Sequence, residues 1–73
     1  MLLHGWTATA DLNWFMCYQA LGEHFRVIAL DHRGHGRGIR SAKPFRLSDC
    51  ADDAASLADQ LGISTFIPVG YSM

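Results

Sequence analysis

The chain has 73 residues, 49% hydrophobic and 18% charged, with a net charge of −1. A chain of this size makes at most one small domain, and it buries only about 60% of its unfolded surface, so its core is marginal. The composition excludes a disordered chain, and no apolar run is long enough to span a membrane.

Met1 to Leu3 is a short apolar run ended by His4-Gly5, and it reads as the tail of a strand. No basic region precedes it, so it does not read as a secretory leader. Residues 11 to 21 read as a helix, with Leu12, Phe15, Met16, Gln19 and Ala20 on related faces and Gly22 closing it. Arg26 to Asp31 reads as a strand, continuously apolar and β-branched within, which suits cover on both faces in a parallel sheet. His32 to Arg46 is a long loop containing Gly34, Gly36, Gly38 and Pro44.

A second helix is expected from about Ser48 to Leu61. Ser48 would cap its first turn, and Cys50, Ala54, Leu57, Ala58 and Leu61 would form its buried stripe, leaving Asp52, Asp59 and Gln60 solvated. Gly62 ends it, Thr65 to Val69 is the last strand, and Gly70 opens a terminal turn. The order β-α-β-α-β places the chain in the α/β class, with three parallel strands and two right-handed crossover helices.

Charge is unevenly spread. Five of the six Lys/Arg residues lie between Arg33 and Arg46, and Asp49, Asp52, Asp53 and Asp59 follow. A basic loop preceding an acidic helix start accounts for this, since carboxylates favour the positive end of a helix dipole. Cys17 and Cys50 have no metal-type spacing and read as reduced packing residues of a cytoplasmic protein, a single disulfide being the other reading.

The loop "DHRGHGRG", Asp31 to Gly38, has several chemical readings. A dinucleotide fingerprint needs G-x-G-x-x-G opening directly into a helix, whereas here the spacing is G-x-G-x-G and a further loop precedes the helix. His32 and His35 suggest metal ligands but lack a third at suitable spacing. The basic cluster lacks the interleaved aromatics of a nucleic-acid groove. A solvated loop whose glycines permit sharp turns is the plain reading.

The two ends of the chain, "LLHGW" and "VGYSM", are each a strand terminus followed by a small-residue turn. If the sheet order is second-first-third, both ends open on one crevice outside the carboxyl ends of the strands. Gly5-Trp6 would then face Tyr71-Ser72-Met73, an arrangement suited to acyl transfer. The serine stands clear of the sheet on a tight turn, and two backbone N–H groups receive the developing oxyanion, one from the residue after the nucleophile and one from an earlier loop.

With these motifs in this order, the chain resembles the α/β-hydrolase superfamily in its serine-nucleophile branch. The "HGW" loop, the "DHRGHGRG" loop and the "GYSM" turn carry the resemblance, which extends over essentially the whole chain. It implies a partial α/β-hydrolase domain over residues 1 to 73, truncated at both ends, holding the family's third to fifth strands. Only the first four positions of G-x-S-x-G are present, Gly70 to Met73, and Gly38 stands where the family loop usually has serine, a departure expected to be tolerated.

The resemblance further implies that Ser72 is a nucleophile and that the Trp6 and Met73 amides form an oxyanion hole. The triad acid and histidine would follow Ser72, so His4, His24, His32 and His35 are not assigned to it. His4 is expected to be structural, with Asp31 and Arg33 shaping the glycine loop. The implied parent is a serine hydrolase of an ester, thioester, lactone or related small acyl substrate, with no cofactor, metal, nucleic acid or membrane span. A carbon–carbon-bond hydrolase or cofactor-free perhydrolase is the alternative chemistry. A non-catalytic fragment or a binding protein on a degenerate hydrolase fold is the alternative class.

Overall fold

A computed structural model describes all of residues 1–73. The elements are β1 (Leu2–Leu3), α1 (Ala10–Trp14), a 3-10 turn (Phe15–Cys17), α2 (Tyr18–Gly22), β2 (Ala29–Leu30), α3 (Leu47–Gln60) and β3 (Val69–Gly70). The strands are parallel in the order β2-β1-β3, with Leu2 opposite Ala29 and Val69, and Leu3 opposite Leu30 and Gly70. This is the expected α/β arrangement of three parallel strands and intervening helices, with the first strand at the centre.

The strands are shorter than the sequence suggests. Arg26 to Ile28 and Thr65 to Pro68 lie outside regular strand, and Gly70 belongs to β3 instead of opening the turn. β2 is half-buried and β3 exposed, contrary to the expected cover on both faces of residues 26–31. An apolar run reports that a strand can be covered; the cover itself must come from other elements, and few of these reach β2 or β3 here.

One face of the sheet packs on α3. Met1 joins Ala54 and Ala58 in a buried cluster, against which Leu3, Ile28, Leu30, Leu57 and Ile63 pack. Side chains alternate along a strand, so Leu2 turns to the opposite face, where it is also buried. Small residues at positions 54 and 58 let the helix approach the sheet closely. Asp52, Asp59 and Gln60 are exposed, as their spacing requires, but Leu61 is 41% exposed and leaves the expected stripe. It leaves because the helix stops at Gln60: Ile63 N–H bonds to Ala58 O at 2.9 Å and Gly62 N–H to Asp59 O at 3.1 Å, with Gly62 at φ 72°. That Schellman closure turns Ile63, not Leu61, onto the core. Ser48 does not cap α3. Arg46 is the N-cap, makes no side-chain cap bond, and instead pairs with Asp49 in the first turn.

The first helical stretch buries a different stripe from the expected one. Leu12, Phe15 and Met16 are 65%, 61% and 81% exposed. Ala10, Asn13, Trp14, Cys17, Tyr18 and Leu21 are buried or half-buried, at the same three- and four-residue steps. Two adjacent stripes compete for the sheet, and in the chosen one Asn13 and Tyr18 find polar partners, while the buried Trp14 indole N–H has none. Asn13 Oδ1 accepts from Gly5 N–H at 2.7 Å, and Tyr18 O–H donates to Asp11 at 2.9 Å. Burial, followed by the Asp11 bond, raises the Tyr18 hydroxyl to about 12.

Asp31, at the end of β2, anchors the glycine loop. Its carboxylate accepts from Ala10 N–H and Arg37 N–H, both at 2.8 Å, and its side chain is only 7% exposed. Burial works to raise its proton affinity, but the two backbone donors and the Arg37 charge outweigh that and hold it below the usual carboxylate range. Arg33 grips Asp53 of α3 through two 2.8 Å bonds, and this pairing likewise holds Asp53 low. No helix is long and apolar enough to cross a membrane.

Two outcomes are expected of the parent protein. Ala58→Leu overpacks the helix–sheet contact and lowers stability in urea by about 1–3 kcal/mol, whereas Leu at exposed position 55 shifts it by less than about 0.5 kcal/mol. Asp31→Asn leaves one of the two backbone N–H groups, of Ala10 or Arg37, facing an amide NH₂ and costs about 1–3 kcal/mol at neutral pH. Because the folded carboxyl sits below its unfolded value, its contribution is complete above about pH 4 and is lost as pH falls through the lower folded value. The urea midpoint of the wild type therefore declines in acid, and that of Asp31→Asn declines less.

Candidate active site

The carboxyl ends of the three strands bring His4-Gly5, Asp31-His32 and Tyr71-Ser72 to one end of the sheet. Tyr71 N–H bonds to Leu3 O at 3.1 Å, fixing the turn after β3 against β1. Gly5 lies directly under that turn. A Cβ on Gly5 would stand 3.0 Å from Tyr71 Cδ1, 3.1 Å from Tyr71 O and 3.4 Å from Ser72 Cβ, so any side chain there would press on Ser72.

Ser72 has φ 65°, one of only two non-glycine residues with positive φ; the other is Thr7, at 57°. Such backbone costs on the order of 1–3 kcal/mol and persists only where neighbours impose it. Here one strained residue lies on each of the two turns that meet across β1 and β3. Met73 N–H bonds to Tyr71 O at 2.8 Å, closing a three-residue turn about Ser72. Ser72 is exposed.

Side chains hold the start of the loop after β1 at three main-chain groups. Gly5 N–H is taken by Asn13 and Gly5 O by His4 Nδ1, both at 2.7 Å, while Thr7 N–H is taken by His35 Nε2 at 3.1 Å. Trp6 N–H, between them, has no intramolecular acceptor. The Trp6 ring meets Phe45 edge-on at 4.9 Å and His35 at 5.5 Å.

His4 is 1% exposed, and its Nε2 accepts from His32 N–H at 2.9 Å. An accepting Nε2 and a donating Nδ1 define the neutral Nδ1–H tautomer. His4 thus links the loop after β1 to the loop after β2, the structural use expected of it. His35 has the same tautomer, with Nδ1 donating to Arg33 O at 3.0 Å. His32 lies 4.5 Å from His4, ring to ring; burial and its two histidine neighbours lower its proton affinity. Both nitrogens of His4 and His35 are committed to backbone groups, and no group of three or more His, Cys, Asp or Glu is arranged to hold a metal.

Gly38 proves to be more than a tolerated departure from serine. A Cβ there would strike His32 O and stand 2.6 Å from Asp31 O, so this closure of the loop accepts no side chain. Sequence reasoning also missed Asn13, His35 and Phe45. The signal for Asn13 was a polar residue within a helical stripe; for Phe45 and His35 nothing local marked the partner.

The chain matches the family described by its α/β hydrolase fold over residues 1–73. It is 37% identical over 70 residues to a bifunctional esterase/perhydrolase of Acinetobacter calcoaceticus, covering 94% of this chain and 25% of that protein. It is 36% identical over 73 residues to a non-heme haloperoxidase of Rhodococcus erythropolis, covering 99% and 26% respectively. A non-heme chloroperoxidase of Streptomyces lividans is 34% identical over 70 residues, covering 94% and 25%. The chain spans about a quarter of the length of these curated relatives. No solved structure matches it. A match along all of residues 1–73, joined to a parallel sheet in the order β2-β1-β3 with its turns gathered at one end, establishes that the chain belongs to the α/β-hydrolase fold family and carries part of that fold.

Proposed function

We propose that the whole protein is a serine hydrolase of an ester, thioester, lactone or related small acyl substrate, acting in the cytoplasm, with Ser72 as its nucleophile. The observation that carries this reading is the positive φ of Ser72 on an exposed turn packed against Gly5. Strain of this kind lifts a hydroxyl away from the sheet and is retained where a site needs it.

In this reading Ser72 Oγ attacks the acyl carbon as a base removes its proton. The carbonyl electrons move onto oxygen, and the N–H groups of Trp6 and Met73 stabilise the resulting oxyanion. Collapse expels the alcohol or thiol, which takes up the proton, and water then releases the acid from the acyl-enzyme. The free Trp6 N–H supports its role. Met73 N–H is engaged by Tyr71 O, so its role requires that short bond to yield to the substrate oxygen. The base and its orienting acid belong to the chain after Ser72.

A second reading is favoured by the relative named as both esterase and perhydrolase. Hydrogen peroxide in place of water would attack the same acyl-enzyme and release a peracid, using the same Ser72 and the same amides.

A fluorophosphonate is expected to label the whole protein at Ser72, and Ser72→Ala to abolish labelling and lower ester turnover about a thousandfold or more. Labelling that survives in the mutant sinks the assignment. The 73 residues alone are expected to be inert toward nitrophenyl acetate beyond the background of free histidine, because a lone serine is a weak nucleophile. They are also expected to associate, since both sheet edges are open and Phe25 and Ile67 are 62% and 71% exposed. Saturable ester turnover by the purified 73-mer that is lost on Ser72→Ala would show that the machinery is already present within it.

A further inference from the structure

His35 has no part in the chemistry proposed above, yet it is 9% exposed, and both its ring nitrogens are spent on the backbone of two different loops. Nδ1–H donates to Arg33 O at 3.0 Å, two residues back in its own loop, and this bond sets the tautomer. Nε2 is thereby left as an acceptor, and it takes Thr7 N–H at 3.1 Å across a separation of 28 residues. Thr7 is the strained residue of that turn, at φ 57°. Without an acceptor, its N–H would be free to seek another and the turn free to relax.

The same imidazole also touches the residue before Thr7. Its ring centroid lies 5.5 Å from the Trp6 indole at 72°, and Phe45 closes the other side, 4.9 Å from the indole and 5.7 Å from His35. Trp6 is thus flanked by two captured amides, Gly5 N–H on Asn13 and Thr7 N–H on His35, while its own N–H is unclaimed. The peptide unit that carries Trp6 N–H is held at its carbonyl end, where His4 Nδ1 donates to Gly5 O at 2.7 Å, and the capture of Thr7 N–H holds the next unit, so the pair resists rotation together. A donor held so before the substrate arrives costs no reorganisation as charge develops.

We propose that His35 is a positioning residue, which holds the Thr7 turn in its strained form and so keeps Trp6 N–H open to the developing oxyanion. The inference rests on the hydrolase reading above. His35 never touches the reacting atoms and acts only through the peptide it orients. Its requirement is specific: an acceptor at the Nε2 position together with a donor toward Arg33 O. Glutamine meets both needs and leucine meets neither.

The test uses the whole protein, nitrophenyl acetate and a fluorophosphonate. His35→Leu is expected to lower kcat and the rate of phosphonylation about ten- to a hundredfold, less than outright removal of a donor. KM should move less than about threefold, since the lost interaction belongs to the transition state. The fraction of molecules labelled at completion should equal that of the wild type, which a folding defect would lower. His35→Gln should recover most of the rate. Wild-type kcat in His35→Leu, or a glutamine variant as slow as leucine, overturns the proposal. Should the leucine variant fail to fold, an amide-to-ester replacement at Thr7 deletes only the N–H donor; a kcat loss of the same size supports the proposal, and an unchanged kcat overturns it. Labelling that persists after Ser72→Ala is a separate outcome, which removes the hydrolase reading itself and the inference with it.

Discussion

The pairing of β1 with a parallel strand on each side is the constraint on which the rest depends. Leu2 N–H bonds to Ile28 O at 2.7 Å, and Val69 N–H to Met1 O at 2.8 Å. Because the three strands point the same way, their carboxyl ends come together, and residues far apart in sequence emerge side by side. Antiparallel pairing of any one strand would send its turn to the opposite end. The central place of β1 also means that the chain winds away from it in both directions, so the turns after β1 and β3 lie side by side. Gly5 and Ser72 meet at that point only because their strands are neighbours in this order.

Above the sheet, a small set of polar side chains bonded to main-chain groups fixes the loops. Asp31 takes Ala10 and Arg37 N–H, Asn13 takes Gly5 N–H, His4 takes His32 N–H, and His35 takes Thr7 N–H. A buried main-chain donor without a partner is costly, so each bond both satisfies a donor and restricts a turn. The consequence is asymmetric. Gly5 and Thr7 N–H of the loop after β1 are captured, and the amide between them, that of Trp6, is left open and has a proposed use. Of the two strained residues, Thr7 is bonded by this set through His35, while the Ser72 turn is held by main-chain bonds alone, Tyr71 N–H to Leu3 O and Met73 N–H to Tyr71 O.

Packing beneath the site is thin. The buried apolar cluster is Met1, Ala54 and Ala58, with half-buried neighbours, and large apolar side chains such as Leu12, Phe15 and Phe66 remain exposed. A chain spanning about a quarter of its relatives carries apolar faces that its own elements do not cover. The sequence reading of residues 26–31 as a strand covered on both faces overreached for the same reason: apolarity records what a segment tolerates, not which neighbours it has.

The amino-acid sequence by itself determined the class and order of the elements, because periodicity and turn residues are local; the sheet order, supposed from the sequence, was decided by the pairing of β1 with both other strands. The sequence also determined the α3 stripe through Cys50, Ala54 and Ala58, and it brought the "HGW" and "GYSM" turns together as one candidate site. What it left open required knowing partners. Leu12, Phe15 and Met16 formed as good a helical stripe as Ala10, Trp14 and Leu21, and only the docked sheet, with Gly5 waiting for Asn13, chose between them. Ser48 looked like a cap, yet the helix began at Leu47, with Asp49 drawn to Arg46 and Arg33. Gly38 read as a harmless exchange until the fold brought His32 O against it. His35 was one loop histidine among several until tertiary contact set Thr7 N–H on its Nε2, since a hydrogen bond across 28 residues is fixed by where the two loops meet and by nothing in either loop alone.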